Sequence, residues 1–226
     1  MDISIRLKTI ASMIEYCTCC ADIGTDHGYI PIYLIKNGVC KRAIASDINK
    51  GPIEKAIKNI GREGLSSYVE CRIGGGMTTL KPGEAEVGVI AGMGGNLIKD
   101  IIEESMEVFK ALDYIILQPV QNPEVLREYI YSKGYEILEE ELCFEEGKYY
   151  EIIKVRYGNN IEEIDSIFYE VSNYLLQKKH PLVEDFIISK INKCHKILNF
   201  ITEDTEGAKE RRIQLNHKIN KLRELI

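Results

Sequence analysis

Asp22, Gly24, Asp26, His27 and Gly28 crowd into one short stretch directly after the small, apolar run Cys17 to Ala21. Carboxylates and an imidazole there could hold a cation or steady a proton. The two glycines could take positive φ and let a ligand approach the backbone with no Cβ in the way. Four more stretches have a similar character: Asp47 to Asn49, Gly74 to Met77, Gly92 to Gly95, and Gln118-Pro119. Each follows an apolar segment of strand length. In an open parallel sheet, ligands bind over the carboxyl ends of the strands, so the five loops would share one rim.

Asp47 follows Gly24 by 23 residues, a spacing suited to a carboxylate accepting hydrogen bonds from ribose hydroxyls. A solvated strand-end acid is the alternative. Asp22 could meet a ligand's amino group or cap backbone N–H groups, and the two roles are compatible. Thr25, Asp26 and His27 separate Gly24 from Gly28, so the G-x-G-x-x-G pyrophosphate cradle is absent. An acid in this turn would repel a diphosphate but tolerate a sulfonium carrying an ammonium group. S-adenosylmethionine fits that pattern better than NAD.

The elements that must position these loops are readable in order. Ile5, Leu7, Ile10, Met13 and Ile14 share one face of a short helix. Cys17 to Ala21 is small and apolar enough for a central strand covered on both faces, and Tyr29 to Ile35 is a helix with Pro31 in its first turn. Strands are predicted at Arg42 to Asp47, Tyr68 to Ile73, Glu86 to Ala91 and Tyr114 to Leu117. Helices are predicted at Pro52 to Gly61, Asn96 to Phe109 and Pro123 to Ser132. Tyr135 to Cys143 and Lys148 to Tyr157 are then joined by Glu145-Glu146-Gly147, too short for a crossover helix, which makes them an antiparallel hairpin. Five parallel units closed by a hairpin is the chain order of an α/β class I methyltransferase with a Rossmann-like sheet. A dinucleotide-binding dehydrogenase would end in a sixth parallel strand.

From Ile161 the strand signal stops. Ile161, Ile164, Phe168, Val171 and Leu175 repeat at helical spacing, and His180-Pro181 breaks the pattern. A second helix carries Leu182, Phe186, Ile191 and Leu198. A last one carries Ile213, Ile219, Leu222 and Leu225. The prediction is a catalytic domain over residues 1–158 and a small α-helical coiled-coil domain over 159–226.

At 226 residues the chain can bury one core and carry such an appendage. No apolar run reaches the ~20 residues needed to cross a bilayer, and the first 16 residues lack a secretory pattern, so a cytoplasmic protein is expected. The seven cysteines have no completing His or Cys pair at ligand spacing. They are read as reduced core thiols, with no metal. The net charge of -6 argues against indiscriminate nucleic-acid binding, but the deficit lies wholly in residues 1–158, with 18 Lys+Arg against 24 Asp+Glu. In the last helix, between residues 209 and 223, Lys209, Arg211, Arg212, Lys218, Lys221 and Arg223 accompany a single acid, Glu210. That run is either a solvated face or an RNA contact.

The segments DIGTDHGYIPIYL (22–34), ASDINKGPIEKA (45–56), IAGMGGNLI (90–98), LQP (117–119) and LREYIYSKGYEILEEE (126–141) closely resemble the bacterial tRNA (adenine-22-N1)-methyltransferases. The opening IRLKTIASMI and the helical C-terminal part are similar too, so the resemblance covers nearly the whole chain. It implies S-adenosylmethionine as donor, an adenine of the tRNA D-arm as acceptor, and no stable protein partner. Carried onto matching positions, Asp22, Gly24, Asp26, His27 and Tyr29 form the donor loop, together with Thr25 and Gly28. Asp47 and Ile48, with Asn49, hold the ribose and flank the adenine. Gly75, Gly76 and Met77 complete that side, and Ala91, Gly92, Met93 and Gly94 lie beneath the methyl group. Tyr29, Gly95, Gln118 and Pro119 are implied on the target-base side, with Arg211, Arg212, Lys218 and Lys221 toward the RNA backbone. One departure stands out: the family usually reads Gly-Asp-Gly-Leu where this chain has Gly74-Gly75-Gly76-Met77, so a carboxylate expected on the donor's adenine amine is missing.

Adenine N1 carries a free lone pair at neutral pH, so alignment and exclusion of water are the main tasks. Asp26 is the candidate to steady the cationic product through its exocyclic amine, or else to bind the donor's ammonium. Competing readings are a class I methyltransferase acting on a protein or small molecule, and a non-catalytic module that binds donor or RNA.

Overall fold

The computed structural model describes residues 2–161 and 163–226, which divide into two units, Met1–Glu163 and Ile164–Ile226. The first is built on a seven-stranded sheet. Helix α1 (Ile5–Ser12) precedes β1 (Cys17–Ile23), and α2 (Tyr29–Lys36) leads to β2 (Cys40–Asp47). Helix α3 (Lys50–Arg62) leads to β3 (Val69–Ile73), and a 3-10 turn at Gly76–Thr79 precedes β4 (Val87–Gly94). Helices α4 (Gly95–Glu104) and α5 (Met106–Ala111) join β4 to β5 (Tyr114–Gln121), and α6 (Pro123–Ser132) precedes β6 (Glu136–Glu145) and β7 (Lys148–Arg156).

The strand order is β3-β2-β1-β4-β5-β7-β6. The first five are parallel, and β7 pairs antiparallel with both β5 and β6. Glu145 pairs with Lys148 across Glu146 and Gly147, whose φ values of 49° and 76° are those of a two-residue turn matched to strand twist. Apolar residues cover both faces of the central strands, as a parallel sheet flanked by helices requires.

Two boundaries differ from the sequence reading. Gly92 to Gly94 are not a free loop: β4 continues through them with a register shift, Ala91 opposite Gln118 and Met93 opposite Pro119. Pro119 donates no hydrogen bond to the ladder, and the irregular pairing accommodates it. The helix predicted over Asn96 to Phe109 breaks at Ser105 (φ -124°, ψ 42°), whose carbonyl accepts from both Val108 and Phe109. The break allows Ile98, Ile102 and Phe109 to enter the same core.

A buried ion triad joins α6 to the hairpin. Arg127, fully buried, donates to Glu140 Oε1 at 2.7 Å and to Glu151 Oε2 at 2.8 Å. Arg127 and Glu140 both belong to the LREYIYSKGYEILEEE stretch. Buried charges survive only when paired and hydrogen-bonded, and here each has its partner inside.

The helix predicted from Ile161 to Leu175 becomes, in the second unit, two short ones, α7 (Ile167–Glu170) and α8 (Asn173–Gln177), because Ile161 lies outside any helix and Val171 is extended (φ -134°, ψ 125°). The Ser172 hydroxyl then accepts from Leu175 N and starts α8. Helices α9 (Val183–Phe200) and α10 (Glu206–Arg223) pack together. Arg212 reaches the Ile201 carbonyl and Arg223 reaches His195, so the two run antiparallel. Leu215, Ile219 and Leu222 form the buried stripe of α10, whereas Ile213, expected in it, is 69% exposed.

Candidate active site

The carboxyl ends of β1 and β4 open into a cavity of ≈ 650 Å³. Asp22, Gly24, Thr25, Asp26, His27, Tyr29, Ala91 and Gly92 line it, so the structure brings together eight of the residues expected to bind donor. The fold makes this turn by local means. The Ser46 carbonyl accepts both Gly24 N and Thr25 N at 2.8 Å, bending the chain off β1 toward β2. Gly24 sits at φ +79° and Gly92 at φ +80°, a conformation that side chains with a Cβ rarely adopt.

Asp22 is the buried charge of the cavity, 6% exposed and paired in register with Ala45 on one side and Val89 on the other. Burial raises its carboxyl to about 6; the Thr25 hydroxyl opposes the rise and the Asp47 charge adds to it. Such a group favours a cation beside it. Asp26 is exposed, and its Oδ2 lies 3.1 Å from His27 Nε2. The His27 ring stacks on Tyr29, centroids 5.1 Å apart and planes 10° from parallel, leaving Tyr29 38% exposed. The Asn59 amide donates to the His27 carbonyl at 3.0 Å and fixes the turn against α3.

The rim continues from this cavity along the ends of β2 and β3. Asp47 Oδ1 accepts from Asn49 N at 2.7 Å, and the Asp47 carbonyl accepts from Gly74 N. Ile48 is 69% exposed, and a Cβ on Gly75 would lie 3.6 Å from its Cδ1. Asp47, Ile48, Asn49 and Gly75 thus form one open ledge beside the cavity.

Other expected site residues have different duties. Met77 is fully buried in the core, and Gly76 packs on Ile101. A Cβ on Gly28 would meet Ile60 and Ala56 of α3, so Gly28 serves close packing rather than the cavity. Gly95 is buried, and the space for a Cβ there is closed by the Asn122 carbonyl 2.3 Å away, so its lack of a side chain serves close packing. Gln118 is fully buried, and Pro119 is buried with it. Met93 packs against the core, where its Cε approaches Gly24. These corrections share a cause: a glycine or polar residue at a strand end looks alike in sequence whether it faces a ligand or a neighbouring helix.

The basic run of α10 is also altered. Lys218 pairs with Glu170, Lys221 with Asp165 at 2.7 Å, and Arg212 with Asp204 at 3.4 Å. The acids come from other segments, so counting within the helix overstated its free positive charge. Arg211 is exposed and bonds only to the neighbouring Gln214 amide at 3.4 Å.

Sequence reading missed one wall altogether. Asp2, Ile3, Ser4, Arg6 and Leu7 close the cavity from α1 and the residues before it. The Glu145 carboxylate accepts from Ile5 N at 2.6 Å and pins that wall to the hairpin. The signal was present in the IRLKTIASMI resemblance, but no local pattern marks these residues as ligand-facing. Among the described residues no cluster of three or more His, Cys, Asp or Glu could hold a metal ion, and all seven cysteines are free. No described helix is long and apolar enough to cross a membrane.

The model of the TrmK family, tRNA (adenine(22)-N(1))-methyltransferase, matches residues 20–224. The tRNA (adenine(22)-N(1))-methyltransferase of Bacillus subtilis (strain 168) is 32% identical over 232 residues, covering 100% of this chain and 98% of its own. The crystal structure of the B. subtilis m1A22 tRNA methyltransferase superposes with a TM-score of 0.88 at 31% identity, covering 100% of this chain and 99% of that one. TrmK of M. capricolum, in complex with S-adenosyl-homocysteine, superposes at 0.85 with 29% identity, covering 99% of each chain. With a family match along nearly its whole length, and with the sheet order and strand-end cavity described above, the chain belongs to the tRNA (adenine(22)-N(1))-methyltransferase family.

Proposed function

We propose that this chain methylates N1 of adenine 22 in tRNA with S-adenosylmethionine as donor, acting in the cytoplasm. The observation that carries the reading is the strand-end cavity, where a buried carboxyl lies between two positive-φ glycines. A donor that is cationic at sulfur and at its amino group suits Asp22, and the positive φ of Gly24 and Gly92 lets the backbone turn at the cavity wall. When bound, it supplies an electrophilic methyl group. Asp22 holds the ammonium, Asp47 accepts from the ribose hydroxyls, and Ile48 covers one face of the donor's adenine. Tyr29, stacked on His27, offers a ring face to the target base, which must leave its stack because N1 lies on the pairing edge. The remaining work is alignment of N1 and exclusion of water. We read α9 and α10 as a coiled-coil arm that touches the RNA through exposed cations such as Arg211 and Arg223, while Lys209, Arg212, Lys218 and Lys221 are held by acids of their own unit.

Labelled methyl transfer to unmodified tRNA transcripts, followed by nucleoside analysis, tests the reading directly. N1-methyladenine should form when adenine stands at position 22 and disappear when guanine replaces it. Transfer that ignores this exchange, or no transfer while donor binds, would move the assignment to another acceptor.

Asp22 makes the site pH-dependent with a definite sign. Its folded pKa, about 6, lies above the ordinary carboxyl value of 3.8. Below both values the group is protonated in either state and contributes nothing. As pH rises from about 4 through 6, the folded state resists ionisation and loses stability. Asp22→Asn should therefore melt higher than the wild type at pH 7, a gain on the order of 1–3 kcal/mol, yet bind S-adenosylhomocysteine more weakly. Wild-type affinity should improve up to about pH 6 and then level. Parallel melting and calorimetric titrations from pH 5 to 8 check both; identical pH profiles for the two proteins would remove Asp22 from this role.

Asp26, proposed to accept from the exocyclic amine of the target adenine, should show its effect in turnover. Asp26→Asn is expected to lower kcat roughly 10- to 100-fold at saturating donor and tRNA, the range for a hydrogen bond to a charged group. Unchanged kcat with a weakened donor Kd would assign Asp26 to the donor instead.

Gly75 has an extended backbone (φ -83°, ψ 133°), and a Cβ there makes only an ordinary contact with Ile48. Gly75→Asp should fit without strain and tighten S-adenosylhomocysteine binding about 10-fold through a hydrogen bond from the adenine amine. Calorimetric affinity unchanged by this substitution would mean that the donor's adenine does not reach the ledge.

A further inference from the structure

The outer face of α3 carries positive charge that the chain leaves unanswered. Lys55, Lys58 and Arg62 stand at i, i+3 and i+7, so they line up on one side of the helix. Ile53, Ala56 and Ile60, at the same spacing, are buried on the opposite side, where α3 packs on β2 and β3. All three cations are exposed, and among the described residues none has an ion pair, hydrogen bond or ring contact. The nearest acids in sequence are engaged elsewhere, Glu54 with Lys50 at 3.4 Å and Glu63 with Lys36.

Other exposed cations of the sheet unit are treated differently. Lys110, Lys133 and Arg156 each have a carboxylate, from Glu107, Glu103 and Glu136. On α3, Lys55 with Lys58 and Lys58 with Arg62 are like-charge neighbours of the kind that repel, and no acid on their face relieves them. A rise of ~1.5 Å per residue spreads the three charges over roughly 10 Å, the reach of a linear polyanion rather than of one small anion. Residues 1–158 carry 18 Lys+Arg against 24 Asp+Glu, so a polyanion approaching this unit needs a face where cations stand unpaired.

The helix is also fixed to the site. It begins at Lys50, directly after the ledge of Asp47, Ile48 and Asn49. The Asn59 amide donates to the His27 carbonyl at 3.0 Å, and a Cβ on Gly28 would meet Ala56 and Ile60. A strand lying on the outer face of α3 is thereby held in a constant relation to the turn that presents Asp26, His27 and Tyr29.

We infer that the outer face of α3 binds the phosphate backbone of the RNA substrate through Lys55, Lys58 and Arg62. This rests on the tRNA reading of the protein and extends it from the helical arm to the sheet unit. Phosphate contacts position a nucleic acid and carry no base information, so the stripe governs affinity and not the choice of base.

Filter binding of unmodified tRNA at several salt concentrations tests this with two triple variants of equal charge. Lys55→Gln, Lys58→Gln and Arg62→Gln together remove the stripe; Lys110→Gln, Lys133→Gln and Arg156→Gln remove the same charge from paired positions. At about 0.1 M salt the first should weaken tRNA about 10- to 100-fold and lower the slope of log Kd against log salt by about 2–3. Its affinity for S-adenosylhomocysteine should stay within about twofold, since phosphate contacts lie outside the donor cavity. It should melt no lower than the wild type, because the exchange removes repulsion and no contact. The second should bind tRNA within about twofold of the wild type, because cations already held by acids release few counterions. Equal weakening by both variants would overturn the inference in favour of net charge alone. Unchanged tRNA affinity and salt slope in the first would overturn it in favour of a solvated face. A wild-type chain that binds no tRNA would instead remove the tRNA reading, and this inference with it.

Discussion

A carboxyl enclosed at the end of the central strand is the constraint on which the site depends. Asp22 belongs to β1, which has a strand on either side and helices over both faces. The fold thereby withholds water from a group that needs either water or a cation. The surrounding features follow from that enclosure. The chain must leave β1 through a tight bend held by the Ser46 carbonyl, Gly24 must take positive φ, and α1 must close the cavity from above. The resulting site is better satisfied with a cationic ligand than without one, which is the usual way in which binding sites trade stability for function.

The protein handles buried charge in two opposite ways, and the contrast separates structure from site. Around Arg127 every charge finds its partner within the chain, because Glu140 and Glu151 stand on the two strands of one hairpin facing α6. Such a triad offers nothing to a ligand and locks the hairpin to its helix. In the cavity, by contrast, Asp22 is buried and forms no ion pair among the described residues, and Arg6 donates to a neutral amide, that of Gln118.

The helical unit follows the first pattern more than its sequence indicates. Several of its cations bind its own acids, among them Lys218 with Glu170 and Lys221 with Asp165, and these two pairs tie α10 to the segment around α7. A basic run along a helix is therefore a poor measure of the field it presents. The field depends on which acids the tertiary structure brings across from elsewhere.

The sequence by itself determined the order of strands and helices in the sheet unit, the hairpin turn at Glu146-Gly147 and the glycine-hinged turn from Asp22 to Tyr29. These features are local: apolar periodicity, proline at a helix start and glycine at a bend act within a few residues, so composition and spacing reveal them. Helix α6, beginning at Pro123 and ending at Ser132, was legible for that reason. Only the tertiary structure decided which of these residues face a ligand. Gly28, Met77, Gly95 and Gln118 turn toward packed neighbours, and Arg6 enters the cavity through a contact 112 residues away in sequence. Burial and ion pairing depend on what the rest of the chain places around a side chain, and no local pattern carries that information.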